Sequence, residues 1–84
     1  MRGVLHALAF GPAARVFLDR HVNGKPRVQI VRKANALICD PFPNGTKPLK
    51  ETLHDGLQVW RVRSGDYRVL YVVREQEVLI IDID

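Results

Sequence analysis

Arginine is concentrated in one stretch of the chain, from Trp60 to Tyr71, where it alternates with apolar residues. Arg61 and Arg63 are two positions apart in a valine-rich run, so on a β-strand both side chains would lie on one face. Arg68 follows a short Ser-Gly-Asp joint and would return beside them in a tight hairpin. Because arginine binds phosphate through two parallel hydrogen bonds, this pattern predicts an anion site suited to a phosphodiester.

The alternative is a solvated sheet face on which the arginines are neutralised by nearby acids. Like charges on neighbouring strands repel one another, so some partner is needed. Arg74 falls on the same alternating set as Arg68, and the carboxylates nearest in sequence are Asp66, Glu75 and Glu77. The sequence leaves both interpretations open.

A second basic group precedes the arginine stretch. We expect Lys47 and Lys50 on a loop that leads into the arginine strand. His54, in a turn with Asp55-Gly56, is a candidate proton carrier because histidine titrates near neutral pH. Solvated loop lysines and an ordinary surface histidine are the alternatives.

The composition fits one small domain of 84 residues, 46% hydrophobic and 26% charged, with a net charge of +4. It excludes a disordered tail and a two-domain enzyme, and no apolar run is long enough for a membrane span. The single cysteine, Cys39, forms no internal disulfide; we expect it to be buried, and the chain to be cytoplasmic. The histidines are not spaced like a metal site, so we expect no metal and no cofactor.

The first half of the chain has the pattern of a strand followed by two helices. The strand is predicted over Val4–Phe10 and is bounded by Gly11-Pro12. A first helix would run from Pro12 to near Asn23-Gly24. A second would begin at Pro26 and stop before Asp40-Pro41, which makes a helical hairpin.

The second half has the pattern of three strands, Leu57–Arg63, Tyr67–Arg74 and Glu77–Asp82 or slightly beyond, joined by short turns. The expected fold is α+β: one twisted sheet containing an antiparallel meander, with the helical hairpin on one face. Alternation predicts a core made by Trp60, Val62, Val69, Tyr71, Val73, Leu79 and Ile81.

These residues carry a resemblance to a known family. Leu49-Lys50, followed by Gly56-x-x-x-Trp60-Arg61-Val62-Arg63-x-Gly65-Asp66-Tyr67-Arg68-Val69-Leu70-Tyr71, resembles the RelE/ParE toxin superfamily, and RelE-type toxins most closely. The run Glu77–Ile83 is similar to the last strand of those toxins. The resemblance extends over nearly the whole chain, so residues 1–84 are expected to form a single RelE-like domain.

The resemblance implies the toxin of a type II toxin–antitoxin pair, an mRNA interferase held inactive by a RelB-like antitoxin. Such toxins cut messenger RNA in the ribosomal A site without a metal. The 2′-hydroxyl of the message attacks its own adjacent phosphate, so the substrate must be RNA. The implied partners are therefore an antitoxin, the ribosome and mRNA, with no membrane involved.

The resemblance also implies roles for individual residues. Arg68 matches the arginine that contacts the scissile phosphate, and Arg61 matches a basic position on the preceding strand. Lys50 matches a basic site that approaches the message, and Arg63 is a further basic position. Val59 stands where some relatives have a second active-site lysine, so that role is missing or displaced.

We assign Lys47 and Arg74, together with Arg63, to RNA binding. Arginine does not lose its proton at neutral pH, so the arginines can neutralise developing charge but cannot act as the base. The base is then Lys50, Lys47 or His54, and the sequence does not choose among them. The catalytic set is accordingly Arg61, Arg68, Lys50 and His54.

Two other functions share the expected fold: a ParE-like inhibitor of DNA gyrase, and an inactive member that only binds an antitoxin. Many relatives continue past the last strand with a basic pair and often a tyrosine, whereas this chain stops at Asp84. Either the natural protein lacks that element or the sequence is truncated. In both cases phosphate binding by Arg61 and Arg68 is expected to remain.

Overall fold

Two helices and five strands form the part of the chain described by the computed structural model, residues 6–84. The strands make one sheet in the order β1-β5-β4-β3-β2, with β1 parallel to β5 and the other neighbours antiparallel. The predicted α+β class with a meander is confirmed; Val4 and Leu5 of the predicted first strand lie outside the described residues. The elements are β1 (Ala7–Phe10), α1 (Pro12–Arg20), α2 (Gly24–Ala36), β2 (Lys47–His54), β3 (Leu57–Ser64), β4 (Tyr67–Arg74) and β5 (Glu77–Ile83).

Strand β2 corrects the prediction of a loop at Lys47 and Lys50. Its sequence is polar and contains Pro48, which an edge strand tolerates because one side of its backbone needs no partner. The pairing with β3 is interrupted between Pro48 and Leu53, where the strand bulges. The side-chain amide of Gln58 donates to the carbonyl of Leu49 at 3.0 Å and so replaces part of the missing ladder.

The two helices form the predicted hairpin and pack on one face of the sheet. Gly11 places the start of α1 close to β5, since its N–H donates to the Ile80 carbonyl at 2.8 Å. A Cβ at Gly11 would lie only 3.3 Å from that same oxygen. The guanidinium of Arg27 joins α2 to α1 by donating to the Leu18 carbonyl, and it lies 3.5 Å from the Asp19 carboxylate.

The main core lies between the helices and the sheet. Val62, Val69 and Tyr71 are fully buried there, as predicted, and Trp60 and Val73 pack against them partly buried. The helices contribute four buried residues to the same cluster, and the residues just after each helix contribute two more; the set is Ala14, Leu18, Val22, Ile30, Ala34 and Leu37. Removal of this apolar surface from water is the main force that holds the hairpin to the sheet.

Leu79 and Ile81 are not in that core, which corrects the prediction made from alternation. They pack on the opposite face of the sheet, in a second cluster around Val59, Leu70 and Val72. The pairing passes from Tyr71–Ile80 to Leu70–Asp82, so Ile81 is an extra residue in β5. A bulge reverses the side-chain alternation, and Ile83 therefore points to the helices again.

Cys39 is exposed rather than buried. It lies in the turn that leads away from α2, two residues after Leu37, whose side chain is buried in the core.

Tyr71 ties the segment between α2 and β2 to the centre of the sheet. Its hydroxyl donates to the Pro41 carbonyl at 2.6 Å and accepts from the Thr46 hydroxyl at 3.3 Å. Burial raises the pKa of Tyr71 above its ordinary value. The connection matters for β2, because Pro41 and Thr46 flank the turn from which that strand starts.

We predict that Tyr71→Phe lowers the free energy of unfolding at pH 7 by about 1–2 kcal/mol, because the partly buried Pro41 carbonyl loses its donor. The raised pKa means that the folded state favours neutral Tyr71. Its contribution is therefore complete below pH ~10 and is lost as the pH rises above that value. Urea unfolding at pH 7 and in steps above pH 10 measures both effects. Tyr67→Phe is the control, since no hydrogen bond to the Tyr67 hydroxyl is found within residues 6–84; equal losses in both variants would contradict the prediction.

Candidate nucleic-acid interface

The β3–β4 hairpin brings the arginines of the sequence motif onto one face of the sheet. Its joint, Gly65-Asp66, begins with a positive φ of 59° at Gly65, as a two-residue hairpin turn of this kind requires. The resulting register pairs Arg63 with Arg68 and Arg61 with Leu70. All three arginines therefore lie on the face opposite the helices, as expected from the alternation.

Arg68, however, is bound to a carboxylate that the sequence did not suggest. Its Nε and Nη2 atoms donate to Oδ1 and Oδ2 of Asp84 at 2.9 and 2.8 Å. The backbones of the two residues exchange both hydrogen bonds as well, at 2.8 and 3.0 Å. The Asp84 carboxylate raises the pKa of the Arg68 guanidinium. Arg68 thus lies between a cation, Arg63, on one neighbouring strand and an anion on the other.

Arg74 is separate from the other arginines. It donates to the Glu77 carboxylate at 3.1 Å, which is one of the ion pairs anticipated from the sequence. It lies six residues from Arg68 along β4, or about 20 Å at the rise of an extended strand. Arg74 is therefore neither free nor close to the hairpin turn.

A groove of about 290 Å³ lies beside β3 where β2 begins, and it is lined by basic side chains. Lys47 is opposite Arg61 in the sheet register. The lining residues are Lys33, Asn44, Gly45, Lys47, Arg61, Val62 and Arg63. We call this the basic groove. None of its lining residues carries a carboxylate, and within residues 6–84 none of its four cations takes part in an ion pair.

The three candidates for a base are at different places along β2. Lys47 lines the basic groove, and Lys50 lies in the bulge next to Glu51, whose φ is 59°. His54 is at the far end of the strand, opposite Leu57. That position is four residues of β3 from Arg61, or about 13 Å. The fold therefore brings Lys47, and not His54, to the arginines.

Lys33 was missed by the sequence reasoning, because nothing in a linear pattern places a residue of α2 beside β3. One signal was present: α2 contains four basic residues and no acidic one. Next to Lys33, Arg32 lines an adjoining groove of about 390 Å³ that also reaches Arg63.

The chemistry available at the basic groove is charge neutralisation by fixed cations, which favours a phosphate whose negative charge grows during a reaction. Within residues 6–84 there is no group of three or more His, Cys, Asp or Glu residues placed to hold a metal ion. In the same part of the chain, neither helix has the length and apolar character needed to cross a membrane.

No protein-family model matches the sequence, and no curated protein is similar to it at a significant level. Solved structures do match. One is a chain of the archaeal RelE-RelB complex from Pyrococcus horikoshii OT3, with a TM-score of 0.79 and 20% identity over 96% of this chain and 94% of that one. Another belongs to the toxin–antitoxin complex RelBE2 from Mycobacterium tuberculosis, with a TM-score of 0.79 and 25% identity over 100% of this chain and 95% of that one. The resemblance to the RelE/ParE superfamily that the arginine motif suggested is thus confirmed over the length of the fold.

Proposed function

We propose that this protein is the toxin of a type II toxin–antitoxin pair and an endoribonuclease that cuts messenger RNA on the ribosome. The observation that carries the proposal is the basic groove, where Lys33, Lys47, Arg61 and Arg63 meet without a carboxylate. The fold shared with chains of two RelE-RelB complexes supports it. Unneutralised cations side by side on a sheet edge repel one another unless an anion lies between them.

In this proposal the scissile phosphodiester lies in the basic groove. The 2′-oxygen attacks the adjacent phosphorus, a 2′,3′-cyclic phosphate forms, and the 5′-oxygen leaves. One group must take the 2′-hydroxyl proton and another must protonate the leaving oxygen. Arg61 and Arg63 neutralise the charge that builds on the non-bridging oxygens. The groove holds two lysines that are able to carry a proton, Lys33 and Lys47, and we assign the proton transfer to Lys47 because it lies opposite Arg61 in the sheet register.

Arg68 has a conditional role. As the residue that matches the arginine at the scissile phosphate, it would need to exchange Asp84 for the RNA. The pair is at the protein surface, with 40% and 48% of the two side chains exposed, so water and salt weaken it. The scissile phosphodiester carries one negative charge, as the Asp84 carboxylate does, and gains a second as the 2′-oxygen attacks. It therefore competes best for the guanidinium in the transition state.

An antitoxin is the second proposed partner. It would be encoded in the reading frame next to this one, as a short acidic protein with a DNA-binding half. Co-expression of that protein should restore growth to cells producing the toxin and should yield a complex that co-purifies.

The Arg68–Asp84 pair favours one competing function, an inactive member that binds an antitoxin without cutting RNA. Normal growth on overexpression, with no message cleavage, would support that alternative. A ParE-like protein would instead inhibit supercoiling by purified gyrase and would leave messages intact.

The first prediction concerns Arg61. In a reconstituted translation system with a defined message, Arg61→Ala should reduce the rate of A-site cleavage about 10²–10³-fold, the usual cost of removing one charge-stabilising group. Arg15→Ala is the matched control, because Arg15 is an exposed arginine on α1 and lines neither groove. Cleavage at the parental rate by Arg61→Ala would contradict the assigned role.

The second prediction separates the candidate bases. Lys47→Ala should reduce cleavage at least ~10²-fold, as expected for a group that transfers a proton, whereas His54→Ala should cleave near the parental rate. Lys47→Arg keeps the positive charge but cannot give up a proton at neutral pH, so it should be as slow as Lys47→Ala. Full activity of Lys47→Arg would show that only the charge matters, and loss of activity in His54→Ala would move the base to the other end of β2.

The third prediction concerns Asp84. Asp84→Asn should increase the cleavage rate, because it frees the Arg68 guanidinium for the message, and Arg68→Ala should then abolish the gain. Glu77→Gln is the control, since it removes the same unit of charge from the other arginine pair on β4. An Asp84→Asn variant that is slower than the parent would mean that the carboxylate orients Arg68 rather than masks it.

A further inference from the structure

The groove of about 390 Å³ beside the basic groove has no role in the reaction proposed above. It lies between α2 and the tip of the β3–β4 hairpin, and its lining residues are Gln29, Arg32, Lys33, Ala36, Arg63, Ser64 and Gly65. Two of these, Lys33 and Arg63, also line the basic groove. The two depressions are therefore consecutive parts of one track along the last residues of β3, which extend past the first residue of β2.

Helix α2 presents one continuous stripe to this track. Gln29, Arg32, Lys33 and Ala36 recur at intervals of three and four residues, so they lie one above another on the helix surface. The adjacent stripe, Ile30, Ala34 and Leu37, is fully buried in the core. Because that burial fixes the rotation of the helix about its axis, the polar stripe is held facing β3.

The electrostatics of this second groove match those of the first. Arg32, Lys33 and Arg63 supply three cations, and no lining residue is acidic. Arg27, also on α2, is paired with Asp19 of α1, whereas Arg32 has no ion pair within residues 6–84. Neither end of the track, at the hairpin turn or at Lys47, is therefore lined by an acidic residue.

We propose that the α2 groove is a second phosphate subsite and that the whole track binds consecutive phosphates of a single-stranded nucleic acid. One phosphate lies between Lys47 and Arg61, the next between Arg32 and Arg63, and Lys33 lies between the two. This inference rests on the proposed function, since it takes RNA as the ligand of the basic groove. A single strand fits because its backbone can follow a narrow track of repeated cations, and such binding is set by charge and not by sequence.

Binding of uncleavable RNA tests the proposal separately from catalysis. The probes are a 2′-O-methyl uridine dinucleotide, which has one internucleotide phosphate, and a fluorescein-labelled 2′-O-methyl uridine octanucleotide. Octanucleotide affinity is measured by fluorescence anisotropy across a salt series, and dinucleotide affinity by NMR titration of the backbone amides. Arg32→Gln is the test variant, and Arg20→Gln, an exposed arginine on α1 outside both grooves, is the matched control.

We expect Arg32→Gln to weaken octanucleotide binding about tenfold, the loss of one charge-assisted contact. The slope of log affinity against log salt should become shallower by about 0.7, the value for one phosphate contact on a single strand. Dinucleotide affinity should fall by less than octanucleotide affinity, because its single phosphate can still bind between Lys47 and Arg61. Arg20→Gln should match the parent with both probes. Equal thermal unfolding temperatures of the parent and both variants establish that the fold is intact.

The proposal is overturned by octanucleotide binding that is unaffected by Arg32→Gln, by equal losses with both probes, or by an equal effect of Arg20→Gln. It is also overturned if a glutamate octapeptide displaces the octanucleotide at equal concentration, since the track would then bind acidic protein. Failure of the proposed function gives a different result. Octanucleotide binding without cleavage of a message on the ribosome would support the phosphate track and would contradict the nuclease function. Cleavage of the message without octanucleotide binding does the reverse.

Discussion

The register of the β3–β4 hairpin determines where every charged group of the site lies. Gly65 supplies the positive φ at the turn, and the pairing of Arg63 with Arg68 follows from it. In this register Val62 of β3 and Val69 and Tyr71 of β4 face the helices. A slip of one residue in either strand would move its arginines toward the helices and would move Val62, or Val69 and Tyr71, to the opposite face. The same strand pairing therefore determines both which residues enter the core with the helices and where the arginines of the anion site lie.

On the sheet face opposite the helices, carboxylates neutralise some of the basic side chains and leave others without an ion pair among residues 6–84. The row Arg63, Arg68 and Asp84 crosses three strands, and its last member neutralises the middle one. At the β2 edge, Lys47 and Arg61 face each other with no acid lining the groove between them. Arginines occur both in this row and at the β2 edge, but the groove at the β2 edge has no acidic residue in its lining. The absence of a carboxylate there, rather than the presence of arginine, determines where the anion site lies. This is the reason to place the phosphate toward β2 and α2 rather than toward β5.

Packing on the face of the sheet that contacts the helices helps to position the residues of the basic groove. Tyr71 anchors the segment that delivers Lys47, through its bonds to Pro41 and Thr46. The buried stripe of α2 fixes the direction of Lys33. The bulge in β2 moves its middle residues out of register, so that its first residues pair with the end of β3 that carries the arginines. Stability and site geometry consequently depend on some of the same contacts.

Local patterns in the sequence were sufficient for the α+β class, the helical hairpin, the meander and the shared face of Arg61, Arg63 and Arg68, because alternation and turn residues act over a few positions. Strand β2 escaped prediction because an edge strand needs no apolar alternation. The faces of Leu79 and Ile81 were misassigned because every residue from Val78 to Ile81 is apolar, so alternation alone does not say which of them face the helices. The partnership of Arg68 with Asp84 and the approach of Lys33 to β3 were decided by the tertiary structure alone. Both join residues distant in the chain, and the distance between such side chains depends on how whole elements pack rather than on the residues themselves.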